Sequence, residues 1–290
     1  MNFEKWISRN TTRLDGKRVA VTGSTGGIGR ELCGMLASLC AELILVDRNL
    51  GRSRVLGDSL GLKYGAKISY VSADLSDMAS VKKAAEELIL LEPDVFIHNA
   101  GAYDIPRYKT DIGYDNVFQI NFISPYVIIK KLLPILRERG GRVVVVGSIA
   151  HNYSKTDAND VDFSTRKAAS RVYGNAKRYL MFSLGELFAS EAKVSLAVTH
   201  PGISFTGITN HYPKLVFALI KHPMKVIFMK PKKASLSVLR GVFESTGECE
   251  WIGPRIFNVW GLPKKMKLKT ATKEEREMIF RTAESIYSAL

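Results

Sequence analysis

Three side chains near the middle of the chain have the types and spacing of acid–base chemistry. Tyr173 and Lys177, in the run Tyr173-Gly174-Asn175-Ala176-Lys177, stand four residues apart, which sets them side by side on one helix face. A phenol with a pKa near 10 is a poor base at neutral pH, but an adjacent ammonium lowers that value by stabilising the phenolate. A phenol tuned in this way takes or gives a proton. Ser148 follows the valine run of Arg142 to Val146 and is suited to donate a hydrogen bond to a substrate oxygen. A Tyr and a Lys four apart also arise by chance on many surface helices, so the weight of the pair depends on its surroundings.

The most informative surroundings are residues 17–47. Arg18 to Thr22 alternates like a strand, Gly23-Ser24-Thr25-Gly26-Gly27-Ile28-Gly29 turns the chain, and Ile28, Leu32, Leu36 and Leu39 recur at helical spacing. Leu43 to Val46 reads as a second buried strand, which ends on Asp47. Glycines let the backbone turn tightly and approach a pyrophosphate, and the free N–H groups of the following helix attract its charge. An acid at the tip of the second strand accepts hydrogen bonds from the adenosine ribose and repels a 2′-phosphate. A strand, a glycine turn, a helix and an acid about 20 residues on together predict dinucleotide binding. The cation of an oxidised nicotinamide would act on the Tyr173 phenol in the same sense as Lys177.

Further strands are expected at 67–72, 95–98, 142–146, 194–199 and 256–259. Helices are expected at 50–62, at 78–91 with Ser76 as cap, at about 113–136, at 166–191 and at 273–288. Pro125 and Pro134 predict a kink or boundary in the long 113–136 pattern. The unbroken valines of 142–146 suit a strand buried on both faces. Alternation of strands and helices predicts an α/β fold, a doubly wound parallel sheet of about seven strands of the Rossmann type, in one domain over residues 1–290. Its cofactor half is about 15–150 and its catalytic and substrate half about 151–290. Phe3, Trp6 and Ile7 in the lead-in are candidates to cover part of the core.

Composition narrows the class. A chain of 290 residues with 46% hydrophobic content buries a substantial core. No apolar run is long enough to cross a bilayer, and Glu4 and Lys5 stand where a signal peptide needs apolar residues, so a cytoplasmic location is expected. Cys33 and Cys40 lie seven residues apart on one expected helix, roughly 10 Å along its axis and too far for a disulfide. No metal site is expected. The net charge of +14 is unevenly spread: no acid lies between Glu191 and Glu244, where Lys214, Lys221, Lys225, Lys230, Lys232 and Lys233 occur. Such lysines form a solvated surface, rest on anionic membrane or meet an anionic substrate tail. No recognised module accompanies them, and nucleic acid is not an expected partner.

Taken together these motifs resemble the short-chain dehydrogenases/reductases, over nearly the whole chain. Thr22-Gly23-x-x-x-Gly27-x-Gly29 is similar to the family's cofactor turn, Asp74-Leu75 to its adenine-contacting acid, and Asn99-Ala100-Gly101 to its strand-four motif, although His98 replaces the usual leading Asn. Asn121, Ser148, Tyr173 and Lys177 match the family's catalytic four, and Pro201-Gly202 with Ile203 and Thr206 the segment at the nicotinamide carboxamide. The resemblance implies that Tyr173 is the acid/base and that Lys177 binds the nicotinamide ribose and lowers the phenol's pKa. It further implies that Ser148 orients the substrate oxygen and that Asn121 holds a water in the proton path, while from its residue type alone Asn121 suits backbone bonding at a helix irregularity. Gly23, Ser24, Thr25, Gly27, Ile28, Gly29, Asp47, Arg48, Asp74, Leu75, Asn99, Ala100 and Gly101 complete the implied cofactor site.

The 25-residue step from Ser148 to Tyr173 and the run Ser148-Ile149-Ala150-His151 resemble the retinol-dehydrogenase-like branch, whose substrates are often large apolar alcohols and aldehydes. That branch commonly carries an uncharged residue before arginine after strand two and uses NADP; Asp47-Arg48 departs from it and favours NAD, with NADP still open through Arg48 or Arg30. Substrate choice is expected in a basic, apolar lid at about 205–235, where Phe205, Tyr212, Phe217, Phe228 and Met229 suit either a cover over a lipophilic ligand or the core side of two helices. The basic part, 214–233, is the candidate for peripheral membrane contact. Relatives suggest a homodimer or homotetramer. The rival readings are an NADPH-dependent carbonyl reductase and a non-catalytic sensor of NAD(H).

Overall fold

A computed structural model describes residues 3–153, 155–202, 229–268 and 270–290. Among the described residues eight strands form one sheet: β1 (Arg18–Thr22), β2 (Glu42–Asp47), β3 (Ile68–Ser72), β4 (Val95–His98), β5 (Arg142–Val146), β6 (Ser195–Thr199), β7 (Glu250–Ile256) and β8 (Trp260–Lys267), in the order β3-β2-β1-β4-β5-β6-β7-β8. The first seven run parallel, and β8 returns antiparallel on β7. The sheet is thus the doubly wound one expected, with one strand more.

The seventh strand needs correction. Ile256 ends β7 and residues 257–259 are the turn to β8, not a strand: Phe257 and Asn258 both adopt left-handed backbone, φ 51° and 57°, and Val259 N–H donates to the Ile256 carbonyl at 3.0 Å. β7 was hidden because Gly253 and Pro254 lie inside it, where strand propensity is poor.

Helices cover both faces. α1 (Phe3–Asn10), α2 (Gly27–Ser38), α3 (Leu50–Tyr64) and α8 (Pro231–Phe243) enclose one core, in which Trp6, Leu32, Leu36, Leu43 and Leu239 are buried and Phe3 and Ile7 pack at the margin. α4 (Met78–Leu91), α6 (Ser124–Arg139), α7 (Ala169–Ala189) and α9 (Lys273–Ser288) enclose the other, built on Phe96, Phe118, Phe122, Tyr126 and Phe182. Asp77, not Ser76, caps α4, accepting from the N–H groups of Ala79 and Ser80. Residues 231–235 of the expected lid belong to α8, whose Ala234, Leu236, Val238 and Leu239 are buried; the apolar residues there serve the core. Residues 205–228 of that lid, with Phe205, Tyr212, Phe217 and Phe228, lie outside the described residues, as do Ile203 and Thr206.

The long pattern at 113–136 resolves into α5 (Asn116–Phe118), a π-turn (Gln119–Ile123) and α6. Pro125 has no N–H to return to the carbonyl of residue 121, and the ladder just upstream widens accordingly. Pro134 is carried inside α6, which runs on to Arg139, so no boundary falls there.

Candidate active site

Parallel strands gather their carboxyl ends along one edge, and the chain reverses its direction of winding between β1 and β4. A crevice is expected at that point. Ser148 stands just beyond β5, in extended backbone (φ −149°, ψ 147°), and caps the short 3-10 helix Ile149–Asn152, accepting the Ala150 N–H at 3.2 Å. α7 crosses directly over this turn. The helix comes so close that a Cβ on Gly174 would collide with the Ala150 carbonyl oxygen, and the closeness delivers the neighbouring Tyr173 to Ser148. Ser148 there favours the phenolate.

Lys177, one turn further along α7, is buried and donates to the Val146 carbonyl at 2.8 Å. Its ammonium lies 5.7 Å from the centroid of the Tyr173 ring. Burial lowers the lysine to about 7, and burial raises the Tyr173 phenol to about 12 although Ser148 opposes the shift. The depression of the phenol expected from the lysine is therefore absent in the protein alone. Desolvation disfavours both charged forms and outweighs their attraction.

Asn121 sits in the π-turn, fully buried. Its amide donates to the carbonyls of Ala102 and Val117, each at 2.8 Å, and accepts the Ala102 N–H at 3.2 Å. It fastens the loop after β4 to the helix, which is the backbone-bonding role open to it from its residue type. Gly101 stands between Asn121 and Lys177: a Cβ there would lie 2.8 Å from the Asn121 Oδ1 and 3.6 Å from the Lys177 Nζ. The structure thus brings Ser148, Tyr173, Lys177 and Asn121 to one place.

The glycine turn fits a dinucleotide. Gly23 has φ 66°, and a Cβ on it would meet the Ala100 Cα at 2.9 Å; a Cβ on Gly29 would overlap the Gly23 carbonyl oxygen. α2 begins at Gly27, its N-cap Gly26 offers no side-chain cap, and the first-turn N–H groups of Gly27, Ile28 and Gly29 have no intrahelical partner. Such a cradle accepts an anion. Asn99 holds the turn shut, donating to the carbonyls of Thr22 and Gly23 at 3.1 and 3.0 Å. His98 keeps the link its position needs: Thr22 Oγ1 already accepts the N–H groups of Asn99 and Ala100, so its proton goes to His98 Nδ1, 3.1 Å away. Burial holds this imidazole neutral.

At the far end of the crevice Asp47 is buried, and its carboxylate accepts the hydroxyls of Ser24, Thr25 (3.2 Å) and Ser53 (3.0 Å). Arg48 beside it is exposed and lies 3.8 Å from Asp74, which also accepts the Ser76 N–H and hydroxyl. The Leu75 carbonyl is bound by Ser124 Oγ at 2.7 Å. Pro201 and Gly202 follow β6; Gly202 has φ 79°, and a Cβ on it would come within 2.7 Å of the Val259 carbonyl oxygen.

Several residues of this site were not among the expected ones. The Tyr103 ring stands edge-on to Tyr173, centroids 5.3 Å apart. Ser53 reaches Asp47 from the first turn of α3. Arg178, buried beside Lys177, donates to the His151 carbonyl at 3.1 Å and pairs with Glu275 of α9 at 2.6 Å, while His151 Nδ1 bonds the Ser148 carbonyl at 2.6 Å. A buried arginine is detectable in sequence only through its partner, and Glu275 is 97 residues away.

This crevice, with its Tyr–Lys helix and glycine turn, is that of a dinucleotide-dependent oxidoreductase. The family model described as short chain dehydrogenase matches residues 17–209, and the chain belongs to that family. Among its relatives, human retinol dehydrogenase 14 is 26% identical over 90% of this chain and 84% of the relative. An uncharacterized oxidoreductase of Schizosaccharomyces pombe is 30% identical over 82% and 76%, and human polyprenol dehydrogenase 28% over 67% and 63%. Among solved structures, an uncharacterized protein of Mycobacterium paratuberculosis superposes with a TM-score of 0.74 at 20% identity over 97% of both chains. An alcohol dehydrogenase from Thermococcus sibiricus, complexed with 5-hydroxy-NADP, does so at 0.61 and 19% identity over 77% of this chain and 88% of that one. The protein is an oxidoreductase of the CH–OH group that uses a nicotinamide dinucleotide.

Proposed function

We propose that the protein interconverts a bulky lipophilic alcohol, of the hydroxysteroid or retinoid kind, and its carbonyl, with NAD as the preferred cofactor. The observation that carries the chemistry is the convergence of Ser148, Tyr173 and the buried Lys177, whose Nζ lies 5.7 Å from the centroid of the Tyr173 ring. The glycine turn with Asn99, Ala100 and Gly101 would hold the pyrophosphate and nicotinamide end, Asp47, Arg48, Asp74 and Leu75 the adenosine end, and Lys177 the nicotinamide ribose. The bound nicotinamide accepts or returns hydride. Ser148 orients the substrate oxygen, and Tyr173 removes the hydroxyl proton in oxidation or returns it in reduction. A phenol near 12 stays protonated at neutral pH, so oxidation depends on positive charge beside it to favour the phenolate, which Lys177 supplies when protonated. Asn121 would hold a water on the proton's way out.

Replacing Tyr173 with Phe tests this. Turnover is expected to fall about 10³-fold while dinucleotide affinity stays within a factor of two; undiminished turnover would refute the assignment. The relatives that act on retinol and polyprenol support a lipophilic substrate.

A second reading has its own observation. The Asp47 carboxylate is already occupied by three hydroxyls, and Arg48 faces solvent, an arrangement in which the arginine takes a 2′-phosphate and the protein works as an NADPH-dependent carbonyl reductase. Against it, Asp74 neutralises Arg48 in part. Parallel fluorescence titrations with NADH and NADPH separate the two, and binding of neither would count against both.

A further inference from the structure

The turn joining β7 to β8 is built against its own stability. Both of its central residues are left-handed, the geometry of a type I′ hairpin turn, which asks for Asn or Gly at each position. Asn258 meets that demand and Phe257 does not. A bulky side chain at φ 51° is strained, and here it is also 82% exposed, with Ile256 at 42% and Trp260 at 37% beside it. An asparagine in place of Phe257 would relieve the strain and remove the exposed ring, so neither folding nor solubility accounts for the phenylalanine.

The charge around the tip is of one sign. Between Glu250 and Glu274 the sequence has Arg255, Lys264, Lys265, Lys267, Lys269 and Lys273 and no acid. Lys265 is engaged by Glu244 at 3.3 Å, whereas Arg255 and Lys264 are exposed and lie within about 13 Å of the tip along the strands. A second copy of this edge would bring like charges together, which disfavours self-pairing. An apolar tip with cations one short strand-length behind it matches the depth profile of an anionic bilayer, acyl boundary first and phosphates next.

We propose that the Phe257 tip inserts into the interface of an anionic membrane, with Arg255 and Lys264 meeting the lipid headgroups. The placement has a consequence for the site. The Asn258 carbonyl accepts from His200 Nε2 at 3.0 Å, and the Val259 carbonyl lies against Gly202, so the docked tip holds the end of the crevice near Pro201–Gly202 at the membrane surface. The proposal does not depend on the catalytic reading, since membrane binding is measured without turnover.

The test is co-sedimentation of the full chain with phosphatidylcholine vesicles, with and without phosphatidylserine, in low and high salt, together with tryptophan fluorescence. Trp6 and Trp251 are buried and Trp260 is the exposed one of the three, so a vesicle-induced blue shift reports the tip. Wild type is expected to partition onto the anionic vesicles and to be released by salt. Phe257→Asn is expected to lose about tenfold or more in partition while melting no lower than wild type, and Arg255→Gln with Lys264→Gln to lose a similar factor on anionic vesicles only. Absence of binding by wild type, or equal binding by Phe257→Asn, overturns the proposal. So does a Phe257-dependent dimer seen by light scattering without lipid, which would make a second copy the occupant.

Discussion

At the scale of single residues, the crevice is a place where burial sets protonation before any ligand acts. Lys177 illustrates the cost: a buried lysine held down to about 7 weakens the fold at every pH where its unfolded counterpart is charged and it is not, or where it is charged and desolvated. Lys177→Met is therefore expected to raise the melting temperature and to abolish turnover together, and a variant that loses both would assign Lys177 a purely structural role. Asp47 carries the other residue-scale prediction. Its buried charge lies beneath the place proposed for the adenosine ribose, so Asp47→Ala is expected to strengthen NADPH binding about tenfold or more and to leave NADH binding weaker, in paired fluorescence titrations. Unchanged NADPH affinity would mean that the three hydroxyls on the carboxylate already screen it.

At the scale of elements, position is fixed by a few close approaches, and these decide what the sequence reveals. The glycine turn, Asp47, the 142–146 strand and the Tyr–Lys step are local patterns, and each falls where periodicity and spacing put it. β7 was not legible because its glycine and proline mask it, and the apolar Ile256 to Val259 mimics a strand while the backbone turns. The segment after Ser148 is held by non-local bonds: Glu275 of α9 accepts Arg178 at 2.6 Å and the Thr156 hydroxyl at 2.9 Å, and Arg178 reaches the His151 carbonyl. Nothing in the spacing of Arg178 and Glu275 announces this. The C-terminal helix thereby supports the Ser148 turn, and Glu275→Gln is expected to lower kcat severalfold with cofactor affinity unchanged and to cost about 3 kcal/mol in urea unfolding, because it leaves a buried guanidinium unpaired. Glu275→Asp should restore part of both. A stability loss without any change in kcat would confine the pair to folding.

At the scale of the whole molecule, the buried titratable groups act in concert on stability. His151 and His200 are lowered to about 4 by burial, against 6.5 when unfolded, and burial lowers His98 as well. A lowered imidazole leaves the unfolded chain binding the proton first, so stability falls as pH drops from about 6.5 toward 4, by up to ~1.4 kcal/mol per pH unit for each ring. Lys177 has the same sign over a higher window: stability rises with pH from about 7 to the unfolded lysine value near 10.5. Tyr173 and Tyr179, both raised to about 12, have the opposite sign, being stabilising below the unfolded value of 10 and losing that contribution as pH climbs to 12; the buried Cys33 thiol, raised above its ordinary 9, turns down earlier. The net charge of +14 adds self-repulsion that grows as carboxylates are protonated. These limbs cross on the alkaline side, so the melting temperature is expected to peak near pH ~9 rather than at neutrality. In Lys177→Met the limb between 7 and 10.5 disappears, and the peak should move down toward pH ~7 to 8 while the acid limb stays in place. Thermal melts from pH 5 to 11 on the two proteins measure this directly, and coincident profiles would show that Lys177 titrates in the fold much as it does in water.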